Sequence, residues 1–209
     1  MALKLYDYSL SGSCYKVRLL LDFLDLEYER QPVGFYPERE HRTETFRAIN
    51  PLAQIPVLED DGIRLRDAQA ILCHLANKYD KSGLWLPRQP DLFGPIMMWV
   101  MFASGELMAA SAARLHDLLG YDLDIKTARR NAHFAFRILD DHLTRREIEG
   151  GTWIAGDHPT IADVACFPYT ALSNDGGIGL EDYPALRNWL RSFMRLPKFD
   201  AMSGISEFA

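Results

Sequence analysis

Three side chains near the start of the sequence could bind or form a thiolate, because they share a short polar loop leading into a predicted helix. Ser11, Ser13 and Cys14 follow the strand-like segment Leu3–Tyr6 and precede a helical run. A helix N-terminus offers unpaired N–H groups and partial positive charge, which stabilise an anion. A serine there can donate a hydrogen bond to a thiolate, whereas a cysteine there would itself have a lowered pKa. In the simpler alternative, a serine only caps the helix and Cys14 is a small packed residue.

The dipeptide Ile55-Pro56 places a proline at the start of another strand-like segment. Proline removes a hydrogen-bond donor from a strand and is the residue that most readily forms a cis peptide bond. A cis bond would turn the backbone N–H and C=O of Ile55 outward, where they could pair with an extended, peptide-like ligand. A trans proline at an edge strand is the alternative.

A third candidate is Asp67, in the segment Arg66-Asp67-Ala68-Gln69 that joins a predicted strand to the next helix. Aspartate is a favoured N-cap residue, because its carboxylate accepts hydrogen bonds from the free N–H groups of the first turn. The same helix start could also hold a carboxylate of a ligand. The two roles are compatible with each other.

The elements that carry these residues predict a small α/β domain. Up to Tyr79 the pattern is βαβ followed by ββα. Between Val17 and Leu24, apolar residues repeat at spacings of three and four, which is typical of one face of a helix. The dipeptide Asp61-Gly62 between two apolar runs predicts a β-hairpin, since its turn requires positive φ.

From Lys81 onward the pattern is almost entirely helical, so the predicted fold class is α/β plus all-α. We predict a first domain over residues 1–80, a linker over 81–90 and a helical bundle domain over 91–209.

Within the second domain, we predict one long helix over Asp91–Leu119 and another over Asp124–Ile148. The segment Thr160-Ile161-Ala162-Asp163 has the pattern of a capping box, in which the threonine and aspartate side chains each bond a backbone N–H group.

The composition is that of an ordinary globular chain of 209 residues with a formal net charge of −6. This charge argues against nucleic acid or an anionic membrane as the main partner. The three cysteines are scattered, as expected for free thiols in a reducing compartment. No group of His and Cys has the spacing of a metal site, and the first residues lack the pattern of a signal peptide. The most apolar window, Ile96–Ala113, contains polar residues that make it too polar to span a bilayer. We therefore expect a soluble, cytoplasmic protein that needs no metal.

Three segments resemble the cytosolic glutathione S-transferase family, and the resemblance extends over essentially the whole chain. They are LKLYDYSLSGSCYKVRLLLDFLDLEYE, FRAINPLAQIPVLEDDGIRLRDAQAILCHLANKY and GGTWIAGDHPTIADVACFPY. The most specific parts are NPLAQIPVLEDDG, with the acidic helix start after it, and WIAGDHPTIADV. Membership implies a thioredoxin-like N-terminal domain, a C-terminal helical domain, a homodimer and a cis bond before Pro56.

The resemblance also implies roles for single residues. The loop before Val17-Arg18 is similar to the active-site loop of the serine-type classes (theta, delta and zeta), as in a bacterial-type member. Counting back from Val17-Arg18 places Ser11 on the serine that holds the glutathione thiolate, with Ser13 and Cys14 as alternatives.

The implied glutathione site takes its other residues from three short segments of the first domain. Ile55, followed by Pro56, matches the residue whose backbone pairs with the cysteinyl part. His41, Arg42 and Gln54 lie where the family usually binds the glycyl carboxylate. Asp67 and Ala68 match the pair that binds the γ-glutamyl end.

Ala68 departs from the family pattern, which usually has Glu followed by Ser at these two positions. The alanine lacks a hydroxyl, so one hydrogen bond to a charged group is missing, worth on the order of 1 kcal/mol. We therefore expect an affinity for glutathione about tenfold weaker than with serine at this position.

The implied function is a glutathione transferase of the detoxification type, in which glutathione is the substrate and its activated sulfur attacks a hydrophobic electrophile. Around the interruption at Ser104-Gly105, helix positions should face the cleft, with core packing as the alternative for each residue. Glu106 and Arg114 could pair with each other, or face a polar substrate or the partner subunit. The candidates for the electrophile pocket are Met101, Phe102, Met108 and Tyr169.

Two other functions are compatible with the same residues. In a glutathione-dependent thiol–disulfide oxidoreductase, Cys14 would be the nucleophile at the helix start. In a non-catalytic protein with this fold, which binds hydrophobic ligands or partner proteins, the alanine at position 68 would be one reason for weak glutathione binding.

Overall fold

A mixed four-stranded sheet lies at the centre of the first domain in the computed structural model, which describes residues 3–205. The strands lie in the order β2-β1-β3-β4. β1 pairs in parallel with β2 and antiparallel with β3, which pairs antiparallel with β4. Asp61 and Gly62 turn the chain between the last two strands with φ of 47° and 83°, as predicted for a hairpin. The strands are β1 (Leu3–Asp7), β2 (Tyr28–Pro32), β3 (Val57–Asp60) and β4 (Ile63–Leu65).

Helices cover both faces of this sheet, as the alternation of side chains along each strand requires. On one face, Leu5 and Leu58 share a core with the helices α1 (Gly12–Phe23) and α3 (Ala68–Tyr79). A separate apolar cluster on the other face contains Val57 and residues of the short helix α2 (Glu44–Ile49). This is a thioredoxin-like domain, and the predicted order of its elements is confirmed.

The second domain is a bundle of five helices, one of which, α7, is fully buried. All eleven residues of α7 are buried, and α7 contacts α1 and α3 of the first domain as well as three helices of its own. The bundle consists of α4 (Pro90–Ser104), α5 (Met108–Leu119), α6 (Ile125–Ile148), α7 (Ile161–Ala171) and α8 (Pro184–Met194).

The predicted capping box at the start of α7 is confirmed. Thr160 Oγ1 accepts a hydrogen bond from Ala162 N at 3.2 Å, and Asp163 Oδ2 accepts one from Thr160 N at 2.8 Å. Asp163 also receives hydrogen bonds from Ile154 N at 3.0 Å and Trp189 Nε1 at 2.9 Å through its other oxygen. One buried carboxylate therefore joins a loop, the start of α7 and the helix α8.

The prediction of a single helix over Asp91–Leu119 is wrong. Gly105 ends α4 with φ −100° and ψ −94°, which is outside the helical region, and α5 begins at Met108. Glycine adopts such a conformation without a steric penalty, so the apolar pattern continues through a point where the helix does not.

This region is also more apolar than predicted. Pro90–Leu119 contains a window with a mean hydropathy of 1.4, which by length and composition is apolar enough to span a membrane. The break at Gly105 divides the region into two shorter helices. Ile96, Val100 and Ala103 of α4 are fully buried in the core, as in a helix of a folded bundle.

The two domains share one continuous core, which includes the segment between α3 and α4. Trp85 in this segment stacks on Phe23 of α1 with ring centroids 5.0 Å apart. Its carbonyl oxygen accepts a hydrogen bond from Ile161 N at 2.9 Å, at the start of α7. The connecting segment therefore holds both domains in a fixed relation.

Candidate active site

A cavity of about 700 Å³ lies between the two domains, a size typical of small-molecule sites. The first domain contributes the loop between β1 and α1, the segment before β3 and the start of α3. The second domain contributes residues of α5, Tyr169 of α7, Ser104 at the end of α4 and Tyr121 just after α5. The cavity brings together these predicted residues: Ser11, Ser13, His41, Arg42, Gln54, Ile55, Pro56, Asp67, Ala68, Met108 and Tyr169.

Ser11 is the N-cap residue of α1 and lines the cavity. Its Oγ accepts a hydrogen bond from Cys14 N at 3.2 Å, so the capping role considered above is present. Because the oxygen acts as an acceptor in this bond, its O–H remains able to donate to a ligand. Capping the helix and holding an anion are therefore compatible roles for Ser11.

We call the loop around Ser11 the serine loop (residues 9–14). A buried carboxylate at the end of β1, which pairs with two arginines, holds this loop in place. Asp7 is 1% exposed and pairs with Arg18 and Arg30. Arg18 also donates a hydrogen bond to the carbonyl oxygen of Ser9 at 3.0 Å. The end of β1 and the serine loop are thereby held against α1.

Ser13 is bonded to the second domain. Its Oγ and the Tyr169 Oη lie 2.8 Å apart, so one of the two hydroxyl groups donates to the other. Tyr169 is only 6% exposed, and burial raises its pKa, although hydrogen bonds with Ser111 and Ser13 oppose this. The tyrosine is therefore a neutral hydroxyl at neutral pH.

Cys14 does not line the cavity, and its side chain is 0% exposed. Burial, reinforced by the negative charge of Asp7, raises the pKa of its thiol to about 12. A thiol of this kind is almost fully protonated at neutral pH and is a poor nucleophile. This geometry argues against Cys14 as the nucleophile of an oxidoreductase and favours its role as a small packed residue.

The Ile55–Pro56 bond is cis, as the resemblance implied. The pairing of β3 with β1 begins at Val57, opposite Tyr6, so the backbone of Ile55 lies beyond the paired part of the sheet. Ile55 lines the cavity, where its backbone can meet an extended ligand.

Asn50 shapes the turn before the cis proline and was not among the predicted residues. Asn50 is buried, with 1% of its surface exposed. Its side-chain Nδ2 donates a hydrogen bond to Gln54 O at 2.7 Å, and its Oδ1 accepts one from Leu52 N at 3.0 Å. The signal in the sequence was the pair Asn50-Pro51, which favours turn initiation.

Asp67 caps α3, since its Oδ1 accepts a hydrogen bond from Ala70 N at 2.9 Å. The residue is exposed and lines the cavity, and Ala68 after it is the first residue of the helix. The predicted capping role is present, and the carboxylate also faces the ligand space.

His41 is buried and stacks on Phe35 with ring centroids 4.0 Å apart. Its Nδ1 has no hydrogen-bond partner among residues 3–205. Burial and the charges of Arg42 and Arg39 lower the pKa of His41, so the ring is neutral at neutral pH. Arg47 and Arg66, which were not predicted, line the same cavity and add positive charge to it.

The second-domain wall of the cavity comes mainly from α5, and α4 contributes only its last residue, Ser104. Met101 is 51% exposed to solvent and lies outside the cavity. Phe102 packs edge-on against Trp99 with ring centroids 4.9 Å apart. Neither lines the cavity, because the break at Gly105 reorients the chain and α5 supplies the facing side chains. The apolar residues that line it here are Met108, Leu115, Leu118, Leu119, Tyr121 and Tyr169.

Arg114 crosses from α5 to the first domain. Its Nη1 donates to Leu10 O at 2.6 Å, and its Nε donates to Asp175 Oδ2 at 2.8 Å. Its partner is therefore Asp175 and not Glu106, which is exposed. The arginine fixes the carbonyl group that precedes Ser11, so the second domain helps to shape the serine loop.

Within residues 3–205, no group of three or more His, Cys, Asp or Glu side chains is arranged to hold a metal ion. The ligand space is instead lined by hydroxyl groups, arginines and apolar side chains.

Comparisons with known proteins agree with this architecture. Residues 5–83 match the family model described as "Glutathione S-transferase, N-terminal domain", and residues 108–192 match "Glutathione S-transferase, C-terminal domain". Glutathione S-transferase F13 of Arabidopsis thaliana is 27% identical over 95% of this chain and 94% of its own.

Two solved structures extend the comparison. A glutathione S-transferase from Pseudomonas fluorescens has a TM-score of 0.87 and 30% identity, covering 97% of this chain and 100% of that one. Ure2p in complex with glutathione has a TM-score of 0.82 and 25% identity, covering 94% of this chain and 90% of that one.

Proposed function

Because the chain belongs to the glutathione S-transferase family, we propose that it is a glutathione transferase in which Ser11 activates the glutathione thiol for attack on a hydrophobic electrophile. The observation that carries this proposal is the meeting of three features in one cavity. They are the Ser11 hydroxyl at a helix start, the backbone of Ile55 before a cis proline, and the Asp67 carboxylate.

The chemistry follows from the acidity of the thiol. A free thiol has a pKa of about 8.5, so only a small fraction is thiolate at neutral pH. The O–H of Ser11 and the N-terminal end of α1 both stabilise negative charge on sulfur and so increase that fraction. The thiolate then forms a bond to the electrophilic carbon, the leaving group departs with its electron pair, and the thiol proton passes to solvent.

Glutathione would lie along the first domain. Ile55 would pair through its backbone with the cysteinyl part, and His41, Arg42 and Gln54 would face the glycyl carboxylate. The exposed carboxylate of Asp67 would bind the ammonium of the γ-glutamyl end, and the N–H groups at the start of α3 would bind its carboxylate. The missing hydroxyl at Ala68 is expected to weaken this end of the site.

The proposal is tested by the steady-state rate of glutathione addition to chlorodinitrobenzene by the wild-type protein and by Cys14→Ala. We expect both to turn over, because the Cys14 thiol is buried and protonated; the variant should lose only about 1 kcal/mol of stability. If Cys14→Ala alone is inactive, the oxidoreductase function is favoured. If the wild type neither turns over nor binds glutathione in calorimetry, a non-catalytic binding protein is favoured.

We propose that the electrophile binds against the apolar wall of the cavity. This wall is formed by Met108, Leu115, Leu118, Leu119, Tyr121 and Tyr169. Leu115→Ala is expected to raise the KM for chlorodinitrobenzene about tenfold, because it removes apolar contact from a partly buried pocket. The KM for glutathione should change little. Leu84→Ala, an exposed leucine outside the cavity, is the matched control. An equal rise of KM in both variants would contradict this position for the electrophile.

We also propose that the protein is a cytoplasmic homodimer that acts in detoxification. The exposed apolar residues Phe93, Met98 and Met101 on α4 support the dimer, since a second copy could cover them. The three cysteines are free, which agrees with a reducing compartment. Light scattering should give twice the chain mass of 23.9 kDa, and a monomer at micromolar concentration would contradict the dimer.

A further inference from the structure

Lys16 on α1 is the most unusual charged residue of the protein. Its side chain is 0% exposed, and its Nζ has no hydrogen-bond partner among residues 3–205. An ammonium group without a partner is unfavourable in the interior, and an apolar side chain of the same shape would give a more stable fold. A buried charge beside a cleft is a candidate for a functional role.

The position of Lys16 places its charge next to the serine loop. In a helix, side chains lean toward the N-terminus, so Lys16 points back along α1 toward Gly12, one turn earlier. Its Nζ lies 4.6 Å from the centre of the Tyr169 ring. The same ring packs on Gly12, where a Cβ atom would lie only 2.6 Å from a ring carbon. The Tyr169 hydroxyl then reaches Ser13, so the ammonium lies directly behind the wall of the cavity.

The groups around Lys16 leave its charge largely uncompensated. On α7, the facing groups are the Tyr169 ring and the Cys166 thiol, whose pKa burial raises well above its usual range, so it stays neutral. The carboxylate that acts on Lys16 is Asp67 at the start of α3, which forms no ion pair with it and faces the ligand space. The positive potential of Lys16 is therefore felt in the cavity, because the low dielectric of the interior screens it weakly.

We propose that Lys16 is a positioning residue whose buried positive charge lowers the pKa of the glutathione thiol bound at Ser11. This inference rests on the proposed function, since it adds a third source of thiolate stabilisation to the Ser11 hydroxyl and the N-terminus of α1. It also explains why an unfavourable side chain occupies this position.

The charge of Lys16 is itself sensitive to pH. Burial lowers the pKa of Lys16 from the ordinary value of 10.5 to about 8. The side chain is therefore mostly charged at neutral pH and loses its charge as the pH rises above about 8. The unfolded chain keeps the proton up to higher pH. The contribution of Lys16 to the folding free energy therefore becomes less unfavourable as the pH rises from about 8 to 10.5, and is most unfavourable below about 8.

The test is the substitution Lys16→Met, which keeps the shape and removes the charge. The ultraviolet absorption of the thiolate is titrated with saturating glutathione and without an electrophile, in the wild type, in Lys16→Met and in Lys126→Met. The last variant removes an exposed lysine as a control. We expect the pKa of the bound thiol to rise by about one unit in Lys16→Met and to stay unchanged in the control.

The unfolding temperature gives an independent readout. We expect Lys16→Met to unfold at a higher temperature than the wild type at neutral pH, and this difference to shrink toward pH 10.5. Lys16→Gln provides a second neutral variant for both measurements.

Two results would overturn the inference, and they differ from each other. If wild type and Lys16→Met show the same thiol pKa while both form thiolate, Lys16 does not act on the thiol and the transferase function stands. If the wild type forms no thiolate with glutathione, the proposed function fails and the role of Lys16 fails with it.

Discussion

Replacing Ser11 with alanine is expected to lower kcat for glutathione addition to chlorodinitrobenzene by roughly 10²- to 10³-fold, which is typical of the loss of one donor to a developing or bound anion. The Ser11 Oγ accepts from Cys14 N, which leaves its O–H able to donate to the ligand, whereas the Ser13 hydroxyl is engaged with Tyr169. Without it, the thiol returns toward its ordinary pKa and less thiolate is present at neutral pH. Steady-state kinetics at saturating glutathione measure this effect.

The same substitution removes a helix cap, and this second effect must be separated from the first. Loss of the N-cap of α1 is expected to cost about 1 kcal/mol of stability, which thermal unfolding can measure. Ser11→Thr keeps both the cap and the hydroxyl and should retain most of the activity. Ser13→Ala breaks only the bond to Tyr169 and should cost less than about tenfold. A severe loss in Ser13→Ala with an active Ser11→Ala would transfer the thiolate role to Ser13.

Asp163→Ala is expected to produce the largest loss of stability in the chain, about 4 kcal/mol or more. The carboxylate is fully buried and accepts four hydrogen bonds, from Ile154 N, Trp189 Nε1 and both the N–H and the hydroxyl of Thr160. Alanine would leave these donors buried without an acceptor, and each such group costs about 1–3 kcal/mol. The unfolding temperature should fall by roughly 10 °C.

Asp157→Ala is the matched control, because this aspartate is exposed in the same loop. It is expected to change the unfolding temperature by no more than about 2 °C. Urea unfolding followed by tryptophan fluorescence measures the loss, and Trp189, one of the four tryptophans, loses its hydrogen-bond partner in Asp163→Ala. A stability loss equal to that of the control would show that the hydrogen bonds to Asp163 contribute little.

The first domain could be predicted from the sequence because its information is local. The Asp61-Gly62 turn, the capping residues Ser11 and Asp67, and the proline before β3 each act on neighbouring residues. The short segments that carry them meet at one edge of the sheet once the order of the strands is known. The local sequence pattern did not assign binding roles to these residues. Those roles came from the resemblance to the family.

The second-domain wall could not be predicted, since it depends on how a helix is rotated against a distant partner. The apolar pattern of Pro90–Leu119 is continuous, and a glycine inside it is compatible with an unbroken helix. After the break at Gly105, α5 supplies most of this wall and α4 only Ser104, so Met101 and Phe102, one turn or less before Ser104, do not line the cavity. The repeat of Leu115, Leu118 and Leu119 was the available signal for this wall.

The partners of Arg114 show the same limitation. Its unusual position in an apolar helix was visible in the sequence, but Asp175 lies 61 positions along the chain and Leu10 lies 104 positions away. Only the packing of α5 against the segment after α7 brings these groups together.

Two hydrogen bonds, from Arg114 to Leu10 and between Ser13 and Tyr169, make the serine loop a product of both domains. The domains are therefore not interchangeable modules. A chimera with the helical domain of a relative would acquire a new wall for the electrophile. Unless that domain also carried an arginine and a tyrosine at these positions, the chimera would have a differently supported serine loop. Substrate selectivity and thiol activation would then be inherited together, which limits how far recombination alone can alter one of them.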